Sequence, residues 1–118
     1  MSELNDLLGK LGAHEGVEQL VLLGRDGLVV QSLNGRAGEV EALAARIPGL
    51  AGACEALGKA ASLDDFRTAV LEFGGGVAIV VTLSTDLLLV ANLRPGVGFA
   101  PLLRDMRANR DQLIRLLS

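Results

Sequence analysis

The length, composition and charge of this chain already exclude several kinds of protein. It has 118 residues, of which 50% are apolar, and this is enough for one domain with its own core. A formal net charge of −3 and only three aromatic side chains argue against nucleic-acid binding, which needs cations for the phosphates and rings for the bases.

The chain begins with a predicted helix and a predicted hairpin. Ser2 is a suitable N-cap for a helix over residues 3–11, where leucines recur at helical spacing. Apolar residues at 17–23 and 28–33 predict two strands. Between them, Asp26-Gly27 is the kind of dipeptide that supplies the positive φ angles of a tight turn, so we expect a β-hairpin.

A long second helix is predicted over residues 37–61, and it carries two stripes at helical spacing. One stripe is apolar and is expected to face the core. It contains Val40, Leu43, Ile47, Leu50, Cys54, Leu57 and Ala61. The neighbouring stripe has almost no side chains. It contains Ala45, Gly49, Gly52, Ala53, Ala56 and Ala60.

The stripe of small residues is unusual for a helix in water. Each glycine makes an exposed helix less stable than alanine does by about 1 kcal/mol. A closely packed partner helix explains why glycine is used there, so we interpret the stripe as a dimer surface. The alternative is that it packs against the chain's own sheet. Pro48 lies between the two halves of the stripe and is predicted to bend the helix without ending it, since the spacing continues in the same phase.

Three further strands are predicted over residues 66–73, 77–83 and 87–93. The first has no wholly apolar face and is expected at an edge, or completed by another chain, whereas the other two are apolar on both faces and therefore central. A final helix is predicted from Phe99 onward. The order α-β-β-α-β-β-β-α indicates an α/β (α+β) fold with a central five-stranded antiparallel sheet.

No combination of residues indicates catalysis or metal binding. His14 is the only histidine and Cys54 the only cysteine, so neither has a second residue of its kind to complete a site. We expect no catalytic residue, no metal, no cofactor and no enzymatic activity. His14 is expected to be exposed in a loop and Cys54 to be buried. Arg110 falls in an apolar row, where it must reach solvent, meet a carboxylate or contact a partner.

The sequence also predicts where the protein is found. No apolar run approaches the roughly 20 residues that a bilayer requires, and the first residues are acidic where a secretory signal is basic. We therefore expect a cytoplasmic protein that does not bind membranes.

Several of these features together resemble the Roadblock dynein-light-chain family. They are Gly16-Val17 at the start of a strand, the hairpin at 23–30, the alanine-rich second helix and the apolar strand at 87–90 before a terminal helix. The resemblance spans nearly the whole chain and is closest to bacterial members that act with Ras-like GTPases, one of which stimulates GTP hydrolysis by its partner. It implies a single Roadblock-like domain over residues 1–118, with a Roadblock/profilin-like fold.

The resemblance also implies a homodimer in which the second helices pack antiparallel and the third strands pair. Carried onto this chain, it places the interface at Ala45, Gly49, Gly52, Ala53 and Ala56 of the helix and at Arg67, Ala69 and Leu71 of the strand. Contacts with the GTPase are assigned, by charge alone, to Arg25, Arg46 and Arg67. None of them has the motif of an arginine finger, and a regulator can also act by reshaping its partner.

The expected function is therefore that of a non-enzymatic homodimeric regulator or scaffold for a small Ras-like GTPase, with stimulation of hydrolysis left open. A second hypothesis is a small-molecule-sensing domain, for which the inner strands offer mainly Thr82 and Asn92 as polar groups. A third is a structural adaptor subunit of a larger assembly.

Overall fold

A computed structural model describes residues 2–118 and shows a five-stranded antiparallel sheet with helices on both faces. The elements are α1 (Glu3–Gly12), β1 (Val17–Gly24), β2 (Val29–Leu33), α2 (Ala37–Ala60), β3 (Thr68–Phe73), β4 (Gly76–Thr82), β5 (Leu87–Leu93), α3 (Ala100–Ala108) and α4 (Arg110–Leu117). The strand order is β2-β1-β5-β4-β3. The predicted fold class is confirmed, with β4 and β5 inside the sheet and β3 at one edge.

The first helix and the hairpin form through the predicted local contacts. The backbone N–H of Asn5 donates to the Ser2 hydroxyl at 3.0 Å, which caps α1. Gly27 has a φ of +87°, and the N–H of Leu28 donates to the Asp26 carboxylate at 3.0 Å. Both elements therefore follow from residues adjacent in the sequence.

The two faces of the sheet support two separate cores. One face packs against α1, α3 and α4 and includes the fully buried Leu22, Ile79 and Leu89. The other face packs against α2 and includes the fully buried Val21 and Val90. The closest backbone contacts of α2 are with β1 and β2, and its apolar core extends to Val80 of β4 and Ala69 of β3.

The row of α2 that faces the sheet differs from the predicted one. The buried residues are Val40, Ala44, Ile47, Ala51 and Gly58, whereas Leu57 is 65% exposed and Cys54 is half-buried. Val40 and Ile47 are buried as predicted, but the buried row turns toward Ala44 and Ala51, so the prediction for Leu57 and Cys54 was wrong. Small side chains take the central line, where the helix comes closest to the sheet.

Pro48 does not end α2, as predicted. Proline has no N–H, so it cannot donate the helical hydrogen bond to the carbonyl oxygen of Ala44. The hairpin turn packs against this region of the helix. A Cβ on Gly27 would lie 3.5 Å from the Ala44 oxygen and 3.9 Å from Pro48 Cγ. The same glycine that permits the turn also permits this close approach.

The C-terminal segment forms two helices where one was predicted. The break is at Asn109, whose side-chain amide donates to the Asp105 carbonyl oxygen at 2.8 Å. Such a side-chain bond to the preceding turn competes with continuation of the helix. The apolar row crosses the break, with Met106 in α3 and Leu113 in α4 both buried. Periodicity alone therefore did not reveal it.

His14 is not the exposed loop residue that was predicted. Its Nε2 lies 2.8 Å from a carboxylate oxygen of Asp105, and its side chain is mostly buried. The contact joins the α1–β1 connection to α3, 91 residues further along the chain. A contact between residues so far apart leaves no local signal in the sequence.

Candidate protein-interaction site

The small-residue stripe of α2 is separate from the helix face that packs on the sheet. Its predicted interface residues are all exposed: Ala45, Gly49, Gly52, Ala53 and Ala56. A Cβ built on either glycine would meet nothing within 4 Å. No contact among residues 2–118 requires glycine at these positions, so the alternative of packing against the chain's own sheet is wrong.

The edge strand β3 offers unpaired backbone groups beside this helix. The N–H of Thr82 donates to the carbonyl of Arg67 at 2.9 Å, which sets the alternation of bonds along the β3–β4 pair. The odd-numbered residues of β3 therefore bond to β4, and the N–H and C=O groups of Thr68, Val70 and Glu72 point away from the sheet. This edge is free to receive another strand.

An apolar groove of about 540 Å³ separates the edge strand from α2. Leu43 and Leu50 of α2 line one wall, and Leu71 and Phe73 of β3 line the other. The side chain of Phe73 is 64% exposed. A large apolar side chain beside an unpaired strand forms the kind of surface that marks an interaction site.

The predicted strand residues lie on the same side of the sheet as the groove. Ala69 packs against the core between α2 and the sheet. Ala69 and Leu71 are half-buried, and Arg67 is exposed. Side chains alternate along a strand, so all three project toward the α2 face. The stripe, the groove and the odd-numbered side chains of β3 form one continuous surface, which we call the open surface.

The three predicted arginines do not form one cluster. Arg46 is exposed beside the groove, and Arg67 is exposed at the start of the edge strand. Arg25, in contrast, pairs through both terminal nitrogens with the Glu55 carboxylate, at 2.8 Å each. This hydrogen-bonded pair ties the hairpin turn to α2 and holds the pKa of the Glu55 carboxyl below its ordinary value.

The polar groups proposed for ligand sensing also lie apart. Thr82 lines a polar cleft near the C-terminal end of α2, whereas Asn92 lines the apolar groove. The two residues thus line different cavities. Among residues 2–118, no group of three or more His, Cys, Asp or Glu side chains is placed to hold a metal ion. Within the same residues, no helix is both long and apolar enough to span a bilayer.

The profile of the Roadblock/LC7 domain matches residues 3–92 of the chain. The chain belongs to the Roadblock/LC7 family. No curated protein sequence matches this Roadblock domain.

Solved structures of family members have the same fold as this Roadblock domain. The Roadblock/LC7 domain from Streptomyces avermitilis is 24% identical with a TM-score of 0.78, and the match covers 98% of each chain. Myxococcus xanthus MglB is 14% identical with a TM-score of 0.87, over 99% of this chain and 96% of that one. An MglB structure described as having a tetrameric arrangement is 18% identical with a TM-score of 0.86, over 96% and 86%.

The sequence did not reveal two features, one beside the hairpin and one in the open surface. Glu55 binds Arg25 from 30 residues away, and nothing near either residue indicates the pair. Phe73 was assigned only to a strand, although it directly precedes Gly74-Gly75, which leave it without bulky neighbours in sequence. In this Roadblock domain its exposure depends on where α2 lies, which the local sequence does not specify.

Proposed function

We propose that this Roadblock domain is a non-enzymatic homodimeric regulator that binds a small Ras-like GTPase. The open surface is the observation that carries the proposal. It combines an exposed stripe of small residues, a free strand edge and an apolar groove, and a second copy of the chain offers the complement to all three. The resemblance to bacterial GTPase-regulating Roadblock proteins supports the choice of partner.

Symmetry allows the strand contact and the helix contact to form together. Antiparallel pairing of β3 with the β3 of a second copy creates a twofold axis perpendicular to the combined sheet. This rotation keeps both α2 helices on the same face of the sheet. The free backbone groups of Thr68, Val70 and Glu72 then pair across the axis, while the helices meet above them.

Close packing of the two helices depends on the small stripe. Gly49 and Gly52 have open space where a Cβ would be, so two helix backbones can approach closely there. Burial of a phenylalanine side chain such as Phe73 contributes about 1.5–3 kcal/mol. Pairing the edge strand also removes a template for uncontrolled aggregation. The tetrameric arrangement of an MglB structure supports self-association in this fold.

The GTPase is proposed to bind the dimer rather than the isolated chain. Arg46 and Arg67 are exposed at the border of the open surface, so a dimer displays two copies of each. They are the proposed contacts with the GTPase. Arg25 is a weaker candidate because Glu55 occupies its guanidinium group. Regulation would proceed by a shift of the partner's switch segments toward the arrangement that hydrolyses GTP.

The dimer is tested by sedimentation of the Gly52→Leu variant. We expect the dimer fraction to fall, because leucine keeps the two helices apart, while the circular dichroism spectrum is retained. Gly9→Leu is the matched control, since Gly9 is also an exposed helical glycine with open space around it but lies in α1. A wild-type chain that sediments as a monomer at micromolar concentration contradicts the proposal.

The partner is tested with a Ras-like GTPase from the same source. We expect the wild-type protein to form a complex with it, and Arg46→Ala to weaken that complex without changing the dimer fraction. GTP turnover is measured with and without the Roadblock protein. GTP hydrolysis by the Roadblock protein alone would contradict the proposal. So would the absence of a complex at micromolar concentration. Recovery of scaffold components without a GTPase in a pull-down favours the structural adaptor.

A further inference from the structure

A second cavity lies at the corner of the sheet where β3 begins and β4 ends. Its volume is about 950 Å³, and its walls come from the end of α2, the following loop, the β4–β5 turn and the α3–α4 junction. Its lining includes Arg25, Lys59, Arg67, Thr82, Arg107 and Arg110. We call it the corner cleft. Arg67 and Arg25 are also proposed contacts with the GTPase, whereas Lys59, Thr82, Arg107 and Arg110 have no part in that proposal.

Two polar atoms that belong to lining residues of the corner cleft are buried without a partner. The hydroxyl of Thr82 has no hydrogen-bond partner among residues 2–118, although this residue is only 9% exposed. The Nε of Arg25 is likewise buried without an acceptor in the described chain. Buried polar groups are nearly always paired, so each such atom needs an explanation. Both can donate a hydrogen bond, but the chain encloses both atoms, so the side chain must rotate before an acceptor in the cleft can reach either.

The charge of the corner cleft is opposite to that of the whole chain. Five lining residues are cationic and three are acidic, whereas the chain as a whole carries −3. Of the acidic residues, Glu55 is already bound by Arg25, and Asp64 and Asp65 lie exposed in the loop. Five lining residues also carry hydroxyl groups. The cleft therefore offers more donors than its own acceptors can use.

The walls of the cleft are held in place before any ligand arrives. Arg110 Nε donates to the Thr82 carbonyl oxygen at 2.6 Å, so the guanidinium group is fixed at the side of the cleft. Its NH1 is 3.9 Å from the exposed carboxylate of Asp111, which leaves it available to a stronger acceptor. The N–H of Leu63 donates to the Gly58 oxygen at 2.8 Å and folds the loop back on α2. A Cβ on Gly58 would lie 2.7 Å from the Asp64 oxygen, so this approach requires glycine.

We infer that the corner cleft binds a small phosphate-bearing molecule. A phosphate group carries several acceptor oxygens and no strong donor at neutral pH, which matches a cleft of guanidinium, ammonium and hydroxyl donors. Its oxygens can reach donors on different walls, whereas a carboxylate presents only two oxygens in one plane. Arg110 at the side of the cleft and, after this rotation, the Thr82 hydroxyl are the assigned ligands of the phosphate.

The site is tested by titrating the full chain with inorganic phosphate and pyrophosphate while amide chemical shifts are followed by NMR. We expect saturable shifts at Thr82 and in the β4–β5 turn, and an affinity about tenfold weaker in Arg110→Gln. Arg104→Gln is the matched control, because Arg104 is an exposed α3 arginine that is not part of the cleft lining. Its affinity should equal that of the wild type.

Thr82→Val and Thr82→Ser separate binding from folding. Because the hydroxyl has no partner in the chain, valine should not lower the melting temperature but should weaken phosphate binding, while serine should retain it. Absence of saturable shifts up to about 10 mM of either anion overturns the inference. If Arg104→Gln weakens phosphate binding as much as Arg110→Gln does, the inference is also overturned, because the effect then comes from the loss of any positive charge. Acetate binding as tightly as phosphate would reject the assignment to phosphate.

Discussion

The two faces of the sheet differ in how completely the chain covers them. The face against α1, α3 and α4 is closed, and its central residues Leu22, Ile79 and Leu89 have no exposed area. The face against α2 is closed at its centre, where Val80 and Val90 are fully buried, but it leaves Leu71 half-exposed and Phe73 largely exposed beside the groove.

Composition does not explain this difference between the faces. The strands supply apolar side chains to both, and three helices cover one face whereas a single helix covers the other. The open surface is therefore an apolar face without enough helix from the same chain. A second copy of α2 would supply the missing cover, which is the geometric basis of the proposed homodimer.

The largest expected effect is on the closed face. Leu89→Ala should lower the free energy of unfolding by about 2–5 kcal/mol, because it leaves a cavity in a core with no exposed area. Urea denaturation at fixed protein concentration measures the loss. If Leu89→Ala unfolds at the wild-type urea concentration, the closed face is not the main source of stability.

Proline substitutions in β3 distinguish the N–H groups that bond to β4 from those that point away from the sheet. Leu71→Pro removes an N–H that bonds to β4 and should destabilise the fold by about 1–3 kcal/mol. Glu72→Pro removes an N–H that points away from the sheet, so it should leave most of the monomer stability but reduce the dimer fraction. Thermal unfolding and sedimentation measure the two effects. Equal destabilisation by both prolines contradicts the assigned alternation.

Phe73→Ala tests the open face directly. The side chain is mostly exposed in the single chain, so its removal should change monomer stability by less than about 1 kcal/mol. The proposed dimer would bury it, so the dissociation constant should rise about tenfold or more. Sedimentation equilibrium measures this constant. A similar loss from Leu28→Ala, an exposed leucine in the hairpin, would mean that the effect is not specific to the groove.

The smallest expected effect concerns the Arg25–Glu55 pair that fastens α2 to the hairpin. The pKa of Glu55 lies below its ordinary value when folded, so the contribution of the pair is complete at neutral pH and is lost as the pH falls through the lowered pKa. Glu55→Gln should therefore lower the melting temperature slightly at neutral pH and by less in acid. Glu41→Gln, at an exposed site on the same helix, is the control. If the difference in melting temperature between the wild type and Glu55→Gln grows as the pH falls, the prediction for this pair is wrong.

The sequence alone determined the local structure and much of the candidate interface. Ser2 and Gly27 act through atoms a few residues away, so their roles could be recognised directly. The mixed character of β3 indicated an edge strand, and the small stripe of α2 is exposed, as a dimer surface requires. These features depend on residue type and spacing, which are present in the chain before it folds.

Only the tertiary structure decided the phase of α2, the break at Asn109 and the pairing of Arg25 with Glu55. The helical period of α2 is compatible with more than one buried row. The row that contains Ala44 and Ala51 faces the sheet because a close approach favours small side chains. The ion pair and the open groove join residues that are far apart in sequence. Periodicity specifies which residues share a face of an element, but the packing of the elements decides what that face meets.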